Sequence, residues 1–348
     1  MTTSVRSLVW LGADRFELRT VDAPTPGAGE LLVEVHLATV CSSDLHTVTG
    51  RRLGPHPSVL GHEAVGRVVA TGDDERRTVD GRPVRVGDRI VWGVTDSCGT
   101  CDRCRRGLSA KCRRLRKVGH EPSDGSWPLS GDYSTHVVLP PGVAVVHVPD
   151  EVADAAAAPA ACALATAVGA VDALGEVAGR RAGVWGLGLL GLSACVALRA
   201  AGAATVTGLD PETGRHPAAL RLGADAVAAP GEGLPGPFDV VVEASGVPAA
   251  VSAAVEALDV GGHLALVGSV APAGNVDVDP ERLVRRLHTV VGVHNYEPHH
   301  LLAAVGLLRG SGDQLAELVA PPVGLGDLPE VLRAPAEGHL RRSVDPRR

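Results

Sequence analysis

Aromatic residues are scarce in this chain: two Phe, two Tyr and four Trp among 348 residues, or 2%. That scarcity leaves no row of rings on which successive bases stack, and it obliges the cores to be filled mainly by Val, Leu and Ala. An excess of basic charge is also missing. The formal net charge of −7 gives no general attraction to nucleic acid or to an anionic membrane. No export signal is evident, because MTTSVRSLVWLGADRFELRT alternates like a strand and carries charges through its apolar part. A good membrane span is lacking too: the longest uncharged run, Ala155 to Val171, is mostly Ala and contains Pro159 and Gly169. These absences predict a cytoplasmic protein with no nucleic-acid and no membrane partner. In such a chain, seven cysteines point to reduced thiols and metal ligation before disulfides.

What is present is enough apolar residue, 45%, to fill two cores, and a length that one ordinary core does not accommodate. Residues 1 to about 150 hold short alternating runs such as Glu30 to Leu37, Ala64 to Ala70 and Asp88 to Trp92, separated by turn signals. They predict an antiparallel β region, a small barrel. The stretch Asp73 to Pro83 (DDERRTVDGRP) reads as a solvated hairpin loop and little else. From about residue 160 strands alternate with Ala-rich helices, the clearest strands being Ala182 to Gly186, Ala204 to Leu209, Phe238 to Glu243 and His263 to Val267. Such alternation predicts an α/β, doubly wound parallel sheet. Beyond about residue 296, helices are expected at His299 to Arg309 and Leu328 to Arg333, in a segment too short for a third domain that packs back on the first.

The stretch from Arg181 to Asp210 carries a strand, the turn Gly186-Leu187-Gly188-Leu189-Leu190-Gly191, an apolar helix, a second strand and an acid. Gly186 permits the sharp turn, Gly188 lets a pyrophosphate approach the backbone, and Gly191 lets the helix pack close to the strand. The helix N-terminus offers unpaired N–H groups to phosphates. Asp210 accepts hydrogen bonds from both hydroxyls of an adenosine ribose and meets a 2′-phosphate with like charge, which favours NAD(H) over NADP; its plainer reading is a capped turn. Arg215 joins the cofactor-binding candidates.

Cys98, Cys101, Cys104 and Cys112 form C-x2-C-x2-C-x7-C. Four thiolates on one short loop close a tetrahedron around Zn²⁺ and leave no open position, as in a structural site. Eight of the fifteen residues from Arg103 to Lys117 are Arg or Lys. Without a recognition-helix pattern or aromatic partners, that basic run reads as a solvated lobe or an attraction for an anionic substrate rather than a nucleic-acid finger. A second set is dispersed: Cys41 in CSSDLH, His62-Glu63 in GHE, and Cys162 in AACALATA. Together they make a Cys2His set with an open fourth position, as in a catalytic zinc site. Taken singly, Cys41 or Cys162 reads as buried structural Cys and His62 as a satisfied core histidine. Cys195 has no visible partner and reads as core.

The chain resembles the zinc-dependent medium-chain alcohol dehydrogenases nearly end to end. C-x-S-D-x-H, GHE, VGDRI, the four-cysteine lobe, C-x3-T at Cys162 to Thr166, and GLGLLG followed by Asp210 occur in the family's order and approximate spacing. The resemblance implies a GroES-like β-barrel catalytic domain over residues 1–160 with its zinc lobe at about 96–117, a Rossmann NAD-binding domain over 161–296, and a return to the first domain over 297–348. It implies two Zn²⁺ per chain, one structural and one catalytic, the latter on Cys41, His62 and Cys162 with Glu63 as an alternate or neighbouring carboxylate. It assigns Ser43 to contact with the substrate oxygen and His46 to the outer end of a proton relay. Ser42 departs from the Gly or Arg that many members carry, and Asp44 is expected to support the site. The family's usual association implies a homodimer or homotetramer, with Val290 to Val293 as the candidate edge strand.

Substrate is the least legible property. Thr49-Gly50-Arg51-Arg52, KCRRLRKVGHE and GSWPLSGDYSTH resemble a branch of the family associated with phosphonate metabolism, which implies a small hydroxyalkylphosphonate or its aldehyde. Arg51 and Arg52 are the candidate donors to such an anion, against the reading that they form a solvated turn. His120 and Glu121 are candidates to line the same cleft. The expectation is therefore an NAD-linked zinc dehydrogenase of a small alcohol or aldehyde, phosphonate-bearing substrates included. Its rivals are a generic secondary-alcohol or polyol dehydrogenase and a noncatalytic nucleotide-binding relative.

Overall fold

The computed structural model describes residues 4–232, 236–333 and 338–348. The chain divides into two compact units, Met1–Cys162 with Glu297–Arg348, and Ala163–Tyr296.

The first unit is built on a curled antiparallel sheet. Its spatial order is Ser343–Val344, Leu31–Thr39, Ala64–Thr71, Arg89–Asp96 and Arg116–Lys117, with His136–Leu139 also pairing Leu31–Thr39 and Val143–His147 pairing Arg89–Asp96. The register between Leu31–Thr39 and Ala64–Thr71 shifts at Leu32/Val33 and again at Val35/Leu37. Such bulges bend a strand and let a sheet wrap around its own core. Val and Leu fill that core, joined by a few large rings: Trp10, Trp92, Trp127 and Tyr133 are all buried within it. A smaller sheet joins Phe16–Asp22, Ser4–Trp10 and Ser58–Val59.

The stretch Asp73 to Pro83 is more than a solvated loop. Arg76 is buried and donates to the carbonyls of Pro141 and Val143, and Val79 N–H donates to Val145 O at 3.0 Å. Charge composition signals solvent, yet a guanidinium also satisfies several backbone carbonyls at once, which is what Arg76 does. The helix expected at His299 to Arg309 spans Pro298–Ala316. It continues through Gly310 and Gly312 because Leu308, Gly312 and Leu315 are buried, with the helix packed on Asp154–Pro159, and tertiary packing outweighs the glycine penalty.

The second unit holds six parallel strands in the spatial order Ala226–Ala228, Thr205–Leu209, Arg181–Trp185, Phe238–Glu243, Leu258–Leu266, Thr289–Gly292. The order reverses between Arg181–Trp185 and Phe238–Glu243, the switch point at which doubly wound sheets open a crevice beyond their strand ends. The strand expected at His263 starts earlier, at Leu258, but with an irregular register: Phe238 pairs with Leu258 and Val240 with His263. Cys195 lies in the apolar helix Leu189–Ala200 and is fully buried. The apolar run at Ala155 to Val171 becomes Asp154–Pro159, a π-turn at Ala160–Leu164, and Ala165–Ala173. Among the described residues, Asp154–Ala173 is the one stretch long and apolar enough to cross a membrane, and 78% of its most apolar window is buried.

Candidate functional site

In the lobe, the short helix Asp102–Arg105 and the turn Ser109–Lys111 bring four thiols together. The sulfur separations are 3.4 Å for Cys98–Cys112, 3.5 Å for Cys101–Cys104, 3.9 Å for Cys101–Cys112 and 4.0 Å for Cys98–Cys104. A disulfide needs about 2.05 Å. A tetrahedron with metal–sulfur bonds of about 2.3 Å needs sulfurs about 3.8 Å apart, so the lobe fits a closed zinc site. Backbone N–H groups of Cys98 and Arg114 each donate to Cys112 Sγ at 3.3 Å. Backbone donation from Thr100 and the Arg114 side chain pull Cys98 down to about 5, whereas burial and neighbouring thiols push Cys104 up to about 12. Glu297 anchors the lobe by accepting from Ser109 N at 3.0 Å and Ala110 N at 3.2 Å.

The dispersed set also converges. Cys41 precedes the helix Ser42–Val48, His62 and Glu63 precede the strand Ala64–Thr71, and Cys162 lies in the π-turn. The ligand atoms of all four lie within 4.8 Å of one another. His62 Nε2 is 3.3 Å from Ser43 Oγ, and Nδ1 faces Asp44 Oδ1 at 3.4 Å. Asp44 is itself fixed, its Oδ2 accepting from Cys41 N at 3.0 Å and from the Tyr133 hydroxyl at 3.1 Å. A carboxylate behind an imidazole sets its orientation and raises its basicity. Burial opposes the imidazolium, but Asp44 outweighs it and holds His62 well above its usual range. The Cys162 thiol, hydrogen-bonded to Cys41, draws Cys41 well below its ordinary value, and Cys162 is raised in turn. Two sulfurs, an imidazole nitrogen and a carboxylate suit zinc.

Glu63 is fully buried and accepts from Thr39 Oγ1 at 2.6 Å. Arg341 reaches it from the far end of the chain, with Nε 3.3 Å from Oε2 and Nη2 3.5 Å from Oε1, and Nη2 also lies 3.8 Å from Cys41 Sγ. Burial pushes Glu63 up to about 7 against the pull of Arg341. No local motif marks Arg341; it arrives because Ser343–Val344 pairs with Thr39 and Ala38.

In the second unit Gly186 has φ +88°, a side chain on Gly191 would lie 1.7 Å from Gly186 O, and the space beside Gly188 is open. Leu189–Ala200 starts at Gly188 with no side-chain cap, so its first N–H groups are available to an anion. Asp210 is buried; Oδ2 accepts from Leu187 N at 2.6 Å and Arg215 Nη1 at 3.0 Å, and Oδ1 accepts from Glu212 N at 2.8 Å. Asp210 therefore ties the glycine turn to the tip of the next strand.

Residues 27–150 match the family model of the alcohol dehydrogenase GroES-like domain, and residues 190–309 match that of zinc-binding dehydrogenases. The chain is 30% identical to an L-threonine 3-dehydrogenase of Saccharopolyspora erythraea over 323 residues, 88% of each chain. It belongs to the zinc-dependent medium-chain alcohol dehydrogenase family. It is thus an NAD(P)-dependent oxidoreductase with a GroES-like and a Rossmann-like fold. The alcohol dehydrogenase of Thermotoga maritima has a similar structure, with a TM-score of 0.91 and 26% identity over 99% of both chains. A zinc-binding dehydrogenase of Sinorhizobium meliloti, solved bound to NADP, is similar with a TM-score of 0.86 and 26% identity over 99% of this chain and 100% of that one.

Beside the buried acids Asp44 and Glu63, several cationic and imidazole side chains of this dehydrogenase also stand near the cluster. His46 lies in the last turn of Ser42–Val48, its carbonyl accepting from Arg52 N at 2.9 Å, and burial followed by Arg51 lowers its pKa. Among the described residues neither Arg51 nor Arg52 has a carboxylate partner. Burial, reinforced by Arg52, brings Lys117 down to about 8. His120 donates through Nδ1 to Val118 O at 2.7 Å, and its ring centroid lies 5.2 Å from that of His62. Burial, then the charges of His62 and Arg52, push His120 down to about 3. Glu121 turns to the backbone instead, accepting from Lys117 N at 2.8 Å. Sequence reasoning missed Arg341, Thr39 and Tyr133, none of which stands in a spacing pattern with the ligands, and it reached Lys117 only as one member of a basic run.

Proposed function

We propose that this chain interconverts a small alcohol and its aldehyde or ketone with NAD(H), using zinc held by Cys41, His62 and Cys162, and that its substrate carries an anionic group, specifically a phosphonate. The observation that carries the reading is the convergence of two thiols and an imidazole beside the Ser43 hydroxyl. Zinc bound there supplies the Lewis acidity that makes an alcohol proton easy to remove, and the nicotinamide supplies the hydride acceptor. Ser43 would relay that proton, its Oγ accepting it as the hydroxyl's own proton is passed on toward His46 and solvent. His46 is one helical turn further on, and its lowered pKa leaves its ring neutral and able to receive a proton bound for solvent. Asp44 stands behind Nδ1 of the His62 ring, so Nε2 would be the nitrogen offered to a bound cation. Arg51 and Arg52 bind the substrate anion, with Lys117 adding positive potential.

In the second unit, N–H groups from Leu189 to Gly191 bind the pyrophosphate. Asp210 binds the adenosine ribose and disfavours a 2′-phosphate, because Arg215 is already engaged by Asp210. The lobe holds a second, structural zinc. We further propose a cytoplasmic homodimer or homotetramer. The edge strand Thr289–Gly292 and the exposed Val260, Val284 and Leu287 of the second unit form an apolar edge that a second copy covers.

The test is an NAD-reduction screen of purified, zinc-loaded protein against small alcohols with and without phosphonate or carboxylate groups. Cys162→Ala is expected to abolish turnover while equilibrium dialysis still detects NAD binding. Full turnover by that variant overturns the proposal; far better kcat/KM for neutral alcohols overturns its anionic part alone.

A further inference from the structure

Glu243 ends the strand Phe238–Glu243 and is fully buried, although an apolar residue fits the interior of a parallel sheet at lower cost. Its carboxyl serves the loop that follows. Oε1 accepts from Ser245 N at 2.8 Å, from Gly246 N at 2.9 Å and from the Ser245 hydroxyl, whose oxygen accepts in turn from Val247 N at 3.1 Å. Oε2 is sealed from solvent and, among the described residues, has no hydrogen-bond partner. The Glu243 carbonyl accepts from Val267 N at 2.9 Å and Gly268 N at 3.0 Å, so the loop beyond the next strand hangs on the same residue. The two loops and the glycine turn are in close contact: a side chain on Gly246 would meet Gly268 O, and one on Gly186 would lie 2.8 Å from Ser245 N. At the loop tips Ser245 is exposed, and Val247 and Val270 are 52% and 48% exposed. One buried acid thus fixes two strand-end loops that present apolar side chains to the outside.

We propose that Glu243 is a positioning residue for the cofactor: its carboxyl holds Ser245–Val247 and Gly268–Val270 as the seat of the nicotinamide riboside, with Val247 and Val270 against that half of the dinucleotide. The inference rests on the cofactor reading above, which puts the adenosine at Asp210 and the pyrophosphate on the glycine turn. Strand order supplies the direction. Asp210 follows the strand on one side of Arg181–Trp185, and Glu243 ends the strand on the other. A dinucleotide laid from Asp210 across the turn therefore carries its second riboside over the two loops. Without the carboxyl, three donors lose their common acceptor and the loops are no longer held in one arrangement. The half of the cofactor that lies on them must then order them as it binds, which weakens that half alone.

The test compares NADH with ADP, which stops at the pyrophosphate, as ligands of zinc-loaded protein in isothermal titration calorimetry. Glu243→Ala is expected to weaken NADH by about tenfold or more and ADP by less than about threefold. Glu243→Gln keeps an oxygen for the three donors and gives up only the one that makes no bond, so it is expected to hold NADH within about threefold of wild type. Should Glu243→Ala not fold, Ser245→Ala decides: it removes one donor at an exposed position and is expected to weaken NADH by about threefold with ADP unchanged. Equal losses for NADH and ADP in either alanine variant, unchanged NADH binding, or failure of Glu243→Gln to retain it overturns the role of Glu243 and leaves the dehydrogenase reading intact. Failure of wild type to bind NADH or ADP overturns the cofactor reading as well.

Discussion

Replacing Arg341 by Met, which keeps much of its length, tests whether the cradle is held by charge. At 3.3 Å and an effective dielectric constant of about 20, the guanidinium attracts the Glu63 carboxylate by about 5 kcal/mol. Removing one partner of a buried pair costs about 3–5 kcal/mol, because the other charge is left without compensation. Glu63 has an escape, since it can take up a proton. Its pKa in the folded chain is raised from 4.5 to about 7, so folding favours the protonated form, and stability falls as pH rises across that interval and then levels. Without Arg341 the carboxyl titrates higher still, and the fall continues beyond 7. The extra loss in Arg341→Met is therefore smallest near pH 6 and grows by roughly 1.4 kcal/mol per pH unit above about 7. Urea unfolding of metal-free protein measures this by tryptophan fluorescence, because Trp10, Trp92 and Trp127 report on the first unit and Trp185 on the second. In a Glu63→Gln background the same substitution is expected to lose its pH dependence. Persistence of that dependence without the carboxyl, or a loss under about 0.5 kcal/mol at pH 9, refutes the electrostatic account.

Gly191→Ala places a methyl 1.7 Å from Gly186 O and is expected to displace the turn, lowering both melting temperature and NAD affinity, the latter by tenfold or more on the order-of-magnitude scale of a lost phosphate contact. Gly188→Ala meets open space, so calorimetry is expected to show an unchanged melting temperature while fluorescence titration shows weaker NAD binding. Asp44→Asn leaves the shape of the site but removes the charge behind His62, and zinc affinity measured by competition with a chelator is expected to fall by about 10–100-fold.

Legibility in the sequence followed locality. The lobe's cysteines announce themselves because four ligands to one ion on one loop must be closely spaced, and their sulfurs do meet. The glycine turn is equally plain, since φ +88° at Gly186 and the crowded Gly191 exclude side chains whatever surrounds them. Cys41, His62 and Cys162 are each ambiguous by spacing; the resemblance to a family, and not the residues alone, joined them. Arg341 was invisible because its place depends on Ser343 pairing with Thr39, a register that composition does not encode. Arg76 misled in the opposite direction: an arginine amid acids and glycines reads as surface, whereas its partners are carbonyls near residue 141 that no pattern links to it.

Within the proposed zinc site, Glu63 is the donor whose oxygens are already engaged. Oε2 holds the Thr39 hydroxyl and Arg341 Nε, and Oε1 faces Arg341 Nη2. Two thiolates balance a dication and Arg341 balances Glu63, so the total charge is the same whether or not the carboxylate binds the ion. Geometry, not net charge, therefore decides. Moving Glu63 onto the cation strands a buried hydroxyl and leaves the guanidinium with Cys41 Sγ as its remaining anionic neighbour, 3.8 Å away, and unmade hydrogen bonds of that kind cost about 1–3 kcal/mol each. In the proposed site, Arg341 and Thr39 would thus hold Glu63 in reserve and leave a fourth position for an oxygen from outside the protein, which a catalytic zinc requires and a structural one does not.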